Sequence, residues 1–438
     1  MSSGALAPVY KLSTRATRLA LSSKGISAIL TITGAASVVI ATIIAKQIYT
    51  PEDFGVFAAI VTIIQMVWSF GCLGFNQSIL RLIDPKSKRL EISNELLATS
   101  VAGVAAITIP CAWAMAAYFL PGSFWVMIPL VLFTQITMMA SSLLRAWESY
   151  VSSQLTMQVW RYAVLTYVLI HLGLNIAAST AISLQSLNVL AFSLTIAVPS
   201  GILSIILIMM KGKPIAPSAE TPRFGVLEYL NLSAGFFGSL FGIALMRNFD
   251  RLAVMQFFDI ETLGNIFFVA SLVCYPFFLV AGQITFFRMP HYRRNLSASD
   301  LNRDLMISTI ASVVGVICIL VLTIISNSFM STYYPKYVMS IQLVTFYSLV
   351  GALCLIYSIY SAAFGAIGSA TGIWRANLLN LVLIAMHFGV LFILTQTLSN
   401  MLIVMLSLWI CRIVCFHFEV RYAVRAHKAQ YSDLPTVM

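Results

Sequence analysis

Arg247, Asp250 and Arg251 stand within five residues of one another in a stretch that is otherwise mostly apolar. At i, i+3 and i+4 they would share one face of an α-helix, where Asp250 can pair with either arginine. Two cations against one acid leave a positive surplus. Arginine's planar fork suits a phosphate or a sugar acid, because it can bond two oxygens at once. An ion pair that only locks neighbouring helices is the other reading of the same spacing.

A second set lies between positions 154 and 175. With Gln154 at zero and 100° per residue, Gln158, Arg161, Tyr167, His171 and Asn175 fall within one half-circle. Gln135, Ser142 and Arg145 occupy a narrower arc one segment earlier. Both faces suit a hydrophilic cleft. Both also suit hydrogen bonding between helices, which Gln, Ser and Asn provide in apolar surroundings. Arg145 and Arg161 have a further reading as charges that snorkel to an interface. His171 reads as a packing histidine or a proton relay. Arg288, Arg375 and Arg412 complete the basic candidates, with snorkelling the default for Arg288 at an expected helix end. Tyr347, Tyr357 and Tyr360 offer aromatic faces suited to sugar rings, and tyrosine is also common at membrane interfaces.

The elements that must hold these residues are membrane spans. The chain has 438 residues, 60% hydrophobic and 9% charged, against about 25% charged in a soluble domain. There is too little polar surface for a water-soluble globule, a disordered chain or a secreted disulfide scaffold. Seven cysteines, Cys72, Cys111, Cys274, Cys318, Cys354, Cys411 and Cys415, lie in apolar stretches without a C-x-x-C pair. They read as small buried hydrophobes. No Gly-Lys-Ser/Thr phosphate loop and no metal-ligand cluster occurs, so neither ATP nor a metal is expected, and no cofactor is implied.

Runs long enough to cross a bilayer number twelve, at about 25–46, 55–80, 95–119, 124–147, 155–178, 188–210, 230–256, 262–287, 305–329, 341–366, 377–397 and 400–423. Pro110, Pro199 and Pro276 inside them read as kinks or as functional breaks. The connectors alternate in charge. On the side of the N-terminus lie 22 Lys and Arg, with Arg145, Arg161, Arg288, Arg375 and Arg412 among them; the opposite side keeps Lys46, Arg247, Arg251 and Lys336. This asymmetry places both termini in the cytoplasm. It accounts for most of the net charge of +11, so nucleic-acid binding is not needed. Residues 1–24 read as a polar, basic cytoplasmic segment and not as a signal peptide. Residues 25–210 form a first lobe of six spans, 211–229 a Pro-containing cytoplasmic linker, 230–423 a second lobe of six, and 424–438 a cytoplasmic tail.

The two halves resemble each other. The first outward connector reads Pro51-Glu52-Asp53-Phe54-Gly55-Val56-Phe57; the seventh reads Ile260-Glu261-Thr262-Leu263-Gly264-Asn265-Ile266-Phe267. Aligning Gly55 with Gly264, 209 positions on, pairs Glu52 with Glu261. Six spans per half imply parallel repeats related by a pseudo-twofold along the membrane normal. The run Ile48-Tyr49-Thr50-Pro51-Glu52-Asp53-Phe54-Gly55, the end of the second span, Gly71-Cys72-Leu73-Gly74-Phe75-Asn76-Gln77-Ser78, and Phe249-Asp250-Arg251 with Leu263-Gly264 resemble bacterial polysaccharide transporters. These are the O-antigen and exopolysaccharide flippases of the multidrug/oligosaccharidyl-lipid/polysaccharide exporter superfamily. Asn265-Ile266 departs from the Ile/Leu-Tyr more usual after the glycine.

The resemblance implies an all-α polytopic protein of the bacterial cytoplasmic (inner) membrane. It implies movement of a polyprenyl-pyrophosphate-linked oligosaccharide from the inner to the outer leaflet by alternating access. It further implies a lipid setting and, as partners, a polysaccharide polymerase and a chain-length regulator. On that reading Arg247, Asp250, Arg251, Arg161, His171, Asn175, Arg145, Arg288, Arg375 and Arg412 are the cavity candidates. The alternative within the superfamily is an ion-coupled small-molecule exporter. It is disfavoured because the first six spans bury no acid and only Asp250 lies well inside any span. A membrane glycosyltransferase or polymerase would need catalytic groups in sizeable outward loops, which are lacking.

Overall fold

The computed structural model describes residues 22–82, 93–147, 149–178, 186–211, 225–295, 297–394 and 397–432. The expectations for residues 1–21, for most of the linker and for the end of the tail lie outside the described residues. Fourteen α-helices carry the described chain: α1 (Ser23–Ile48), α2 (Pro51–Phe70), α3 (Phe75–Arg81), α4 (Asn94–Phe119), α5 (Phe124–Ala146), α6 (Tyr150–Ala178), α7 (Val189–Lys211), α8 (Val226–Arg247), α9 (Phe249–Phe257), α10 (Ile260–Asn295), α11 (Ala298–Tyr333), α12 (Ile341–Ile367), α13 (Ala370–Ile393) and α14 (Leu398–Ser432). A single 3-10 turn, Pro335–Tyr337, precedes α12. Twelve segments are long and apolar enough to cross a membrane, as the hydropathy requires.

Local chemistry sets the helix starts. Thr50 Oγ1 accepts from the Asp53 N–H at 3.1 Å and donates to the Asp53 carboxylate at 2.7 Å, and Pro51 follows at the first helical position. At α10, Asp259 Oδ1 accepts from the Thr262 N–H at 2.6 Å. Thr50 and Asp259 are themselves 209 positions apart, so the repeat extends to its caps, with threonine and aspartate exchanged. Ser93, Ser297, Ser340 and Ser369 cap α4, α11, α12 and α13 in the same way.

Two expected spans are broken. The second ends at Phe70. A turn over residues 71–74, with Leu73 at φ 49° and Gly74 at φ 79°, then leads into α3. Glycine takes the left-handed conformation at little cost, whereas leucine is held there. The seventh breaks at Asn248, between α8 and α9. By contrast, Pro110, Pro199 and Pro276 lie inside continuous helices, so none is a break. Helices α10, α11 and α14 run well past the expected boundaries, to Asn295, Tyr333 and Ser432.

The chain divides into two compact units. The first comprises residues up to Ile48 together with Gly71–Ser233; the second comprises Tyr49–Phe70 together with Ala234 onwards. In the first unit, α6 packs on α1 and α7, and α5 on α4, α6 and α7. Phe75, Ile79, Leu82, Leu96 and Tyr229 form one core there, with the Tyr229 ring 5.8 Å from Phe75. In the second unit, α10 packs on α12 and on α2, while α12 also meets α11 and α14. Phe277, Ala281, Ala352 and Leu355 form its core. Helix α11 exposes Met306, Ile310, Val314, Ile317, Val321 and Ile325, an apolar surface suited to lipid. Cys318 is exposed and Cys411 and Cys415 are half-buried, so the expectation of buried thiols holds for Cys72, Cys111, Cys274 and Cys354 only.

Candidate functional site

In the second unit the break at Asn248 decides where the charges go. Arg247 ends α8 and is exposed; Asp250 and Arg251, in the first turn of α9, are 2% and 5% exposed. The three therefore do not share one helical face, and the expected Asp250–Arg pair is absent. The Asp250 carboxylate instead accepts from the Tyr347 hydroxyl of α12 at 2.5 Å, and its Oδ1 has no partner. Arg251 Nη1 donates to Thr62 Oγ1 (3.2 Å), Gln65 Oε1 (2.9 Å) and Asn248 Oδ1 (3.0 Å), and the guanidinium lies 4.9 Å from the Phe267 ring centre. Gln65 passes the network on, its Nε2 donating to Tyr275 at 2.7 Å. Thr62, Gln65, Tyr275 and Asn248 were not singled out by their sequence context.

Arg412 is the most unusual side chain. The sequence places it with the charges at a cytoplasmic helix end. The structure puts it in the middle of a span running from Leu398 to Arg425, at 1% exposure. Its Nη2 donates to the Tyr357 hydroxyl at 2.7 Å and its Nη1 meets the Met246 sulfur. The guanidinium lies 4.6 Å from the Tyr357 ring centre and 5.2 Å from that of Phe416, and Nε has no partner. From α8, Arg247 lies over Phe278 at 5.3 Å and reaches Cys354 Sγ at 3.9 Å. Arg412 touches the residue next to it, so α8, α12 and α14 bring two guanidiniums to one neighbourhood. Neither has an acidic partner among the described residues. A desolvated cation held only by a neutral hydroxyl, sulfur and aromatic faces is costly, and an incoming anion would relieve that cost.

Arg288 and Arg375 behave differently. Helix α10 continues beyond Arg288, so it is not at a helix end. Arg288 pairs with the buried Asp304 at 2.9 Å, and Tyr292 donates to the same carboxylate at 2.7 Å. Burial, then this bond, pushes the Tyr292 phenol above its ordinary value. Arg375 forms a two-pronged pair with Glu419 at 2.8 and 2.6 Å. Both arginines are neutralised by acids and tie helices together.

In the first unit the polar face of α6 is divided between two neighbours. Thr31 donates to Gln154 at 3.1 Å, and Tyr162 and Thr33 share a 2.7 Å bond, all against α1. Tyr167 stacks on His171 at 4.4 Å and meets Phe192 of α7 at 4.9 Å. Arg161 lies 5.4 Å from the neighbouring Trp160 ring. Asn175 is buried, and Arg145 and His171 are half-buried. Gln135 of the narrower arc is a structural tie. It accepts from Thr108 at 2.7 Å and donates to the Gly71 carbonyl at 2.8 Å, fixing the turn after α2.

Residues 43–294 match a family described as polysaccharide biosynthesis protein. No individual curated protein matches the chain. Among solved structures, an inward-facing multidrug resistance MATE family transporter of the MOP superfamily superposes with TM-score 0.53 at 13% identity, covering 91% of this chain and 96% of that one. A MATE in a bent conformation gives TM-score 0.53 at 11% identity, covering 94% and 97%. At these identities the likeness shows the fold: an all-α, multi-pass membrane protein of the two-lobe, six-plus-six class.

Proposed function

The chain belongs to the polysaccharide biosynthesis protein family, and from that membership we propose that it flips a polyprenyl-pyrophosphate-linked oligosaccharide, an O-antigen or exopolysaccharide repeat unit, between membrane leaflets. Both termini would face the cytoplasm of a bacterial inner membrane. Polymerase and chain-length regulator would act on the product.

The observation that supports this reading is Arg412, buried at mid-span without an acid and in the same neighbourhood as Arg247. Such a cargo brings an anionic diphosphate through hydrocarbon, where an unpaired charge is expensive. A guanidinium already held without a counter-charge is suited to receive it, since its fork bonds two phosphate oxygens. Tyr357 and Trp409 (ring centres 6.0 Å apart) add aromatic faces beside it. Within the first unit taken by itself, Arg161, His171, Asn175 and Arg145 stand as candidates for polar contact with a glycan. Arg288 and Arg375 are occupied by acids and stand lower as cargo contacts.

The test is binding. Polyprenyl diphosphate, with and without its glycan, should raise the melting temperature of the purified protein in lipid nanodiscs. Arg412→Lys, which keeps the charge and loses the fork, should weaken that shift at least tenfold in concentration. Equal stabilisation of native protein and variant would remove Arg412 from the cargo site. No stabilisation by any diphosphate lipid would count against the function.

A further inference from the structure

Trp409, Arg412 and Phe416 are spaced i, i+3 and i+7, so they share one face of α14. Tyr357 of α12 lies against all three. Its ring centre is 6.0 Å from that of Trp409, 4.6 Å from the Arg412 guanidinium and 5.1 Å from the Phe416 ring. Cys354, one turn earlier on α12, is within electrostatic reach of both Arg412 and Arg247. Apart from the Met246 sulfur, every polar group gathered here can donate a hydrogen bond. Two of the donors, Arg412 Nε and Trp409 Nε1, have no acceptor, on side chains 1% and 2% exposed. A guanidinium keeps its proton in a protein, so the charge of Arg412 stays in the interior. Asp250, three residues along the chain from Arg247, is engaged by Tyr347.

The end nitrogens of Arg412 are held by Tyr357 and Met246. The guanidinium therefore offers a single N–H in place of its fork, which suits a one-atom acceptor. A halide carries no proton to clash with the donors and accepts from any direction. Arg247, exposed and 3.9 Å from Cys354 Sγ, marks the open side of the group. We propose that Arg412 Nε and Trp409 Nε1, with Arg247 across Cys354, hold a chloride ion as counter-charge, and that the cargo diphosphate displaces it. The second half rests on the transport reading. Displacement turns the Arg412 fork from Tyr357 and Met246 to the phosphate oxygens. One ion against two guanidiniums offsets only part of the cost of burial, so Arg412→Met keeps its stability.

The first test uses the full chain in nanodiscs of zwitterionic lipid, without cargo. Chloride replaces gluconate at constant ionic strength. The native melting temperature should rise with chloride and level off. Trp409→Phe should need at least fivefold more chloride for half the effect. Arg412→Met should show no chloride effect and, without chloride, should melt at or above the native protein. Arg425→Met, which removes an exposed arginine further along α14, should respond as the native protein does. Native melting indifferent to chloride, or an equal response in Arg412→Met, would overturn the site. Iodide gives a reading independent of stability, since this heavier halide quenches indole fluorescence on contact. Quenching should include a saturable part that Trp409→Phe lacks; the same saturable part in that variant would remove Trp409 from the site.

The second test is competition. Saturating chloride should raise at least fivefold the concentration of polyprenyl diphosphate that half-stabilises the native protein. An unchanged concentration would overturn displacement. If no diphosphate lipid stabilises the protein at any chloride concentration, the transport reading fails, and the chloride response still decides the ion site.

Discussion

Replacing Gly55 by alanine tests the helix crossing on which the second unit is built. The added methyl would stand 2.7 Å from the Ile260 carbonyl carbon and 2.9 Å from its Cγ1, and closer still to the carbonyl oxygen. Carbon contacts are comfortable at about 3.5–4.0 Å, so α2 and α10 must part by roughly 1 Å. The obstacle is backbone and has no rotamer to change. Overpacking of this kind costs about 1–3 kcal/mol, and alanine returns up to about 1 kcal/mol as the better helix former. The net expectation is about 1–2 kcal/mol of destabilisation. Gly264→Ala meets the Phe54 ring edge at 2.9 Å and Gly55 N at 3.2 Å. A ring edge can turn away, so its cost should stay below about 1 kcal/mol. Gly173, in α6, has nothing within 4 Å of an added Cβ, and Gly173→Ala should be neutral or stabilising. Denaturation midpoints of the three variants in one detergent give the order. A Gly55→Ala protein as stable as native, or one less affected than Gly264→Ala, would refute the reasoning.

Three further outcomes follow from the same geometry. Arg412→Met should leave the melting temperature unchanged or raise it, because it removes a buried cation with no acid, while abolishing stabilisation by polyprenyl diphosphate; a loss of more than about 2 kcal/mol would make Arg412 structural. Gln135→Leu should cost about 1–3 kcal/mol, because the Gly71 carbonyl loses its side-chain donor in the interior and Thr108 is left with the Val104 carbonyl alone, and denaturant midpoints would register it. Asp259 is held below the usual carboxylate range by the Thr262 N–H. Its cap should thus help at neutral pH and fade as pH falls through its lowered value. Asp259→Asn should flatten that acid-side decline, whereas Asp259→Ala should lose about 0.5–1 kcal/mol at neutral pH.

Much of the fold was legible because hydropathy over some twenty residues is a strong signal. The twelve spans are where the apolar runs are. The repeat was legible in Gly55 and Gly264, and the structure gives it a physical reason: the two glycines are each other's contact. The helix breaks were not legible. A turn at residues 71–74 or a single residue at Asn248 scarcely changes the average of a long apolar window. That small break had a large consequence, since it separated Arg247 from Asp250 and Arg251. The position of α2 was hidden for another reason, because its contacts with α10 lie some two hundred positions away along the chain. Arg412 was visible as a charge, but its depth was not, because α14 runs on to Ser432 and shifts the expected helix end. Arg375 and Arg288 found acids whose reach across helices no local spacing reveals.

The central claim, that the chain carries lipid-linked sugar across the bilayer, is tested most directly in proteoliposomes. Polyprenyl-pyrophosphate oligosaccharide is reconstituted with the purified protein, and cleavage by an external glycosidase is followed over time. The account predicts that protein-dependent exposure consumes the initially protected half of the substrate and is lost in Arg412→Met, a variant that remains folded. Persistent protection of that half by native, folded protein, across several oligosaccharides, would contradict it.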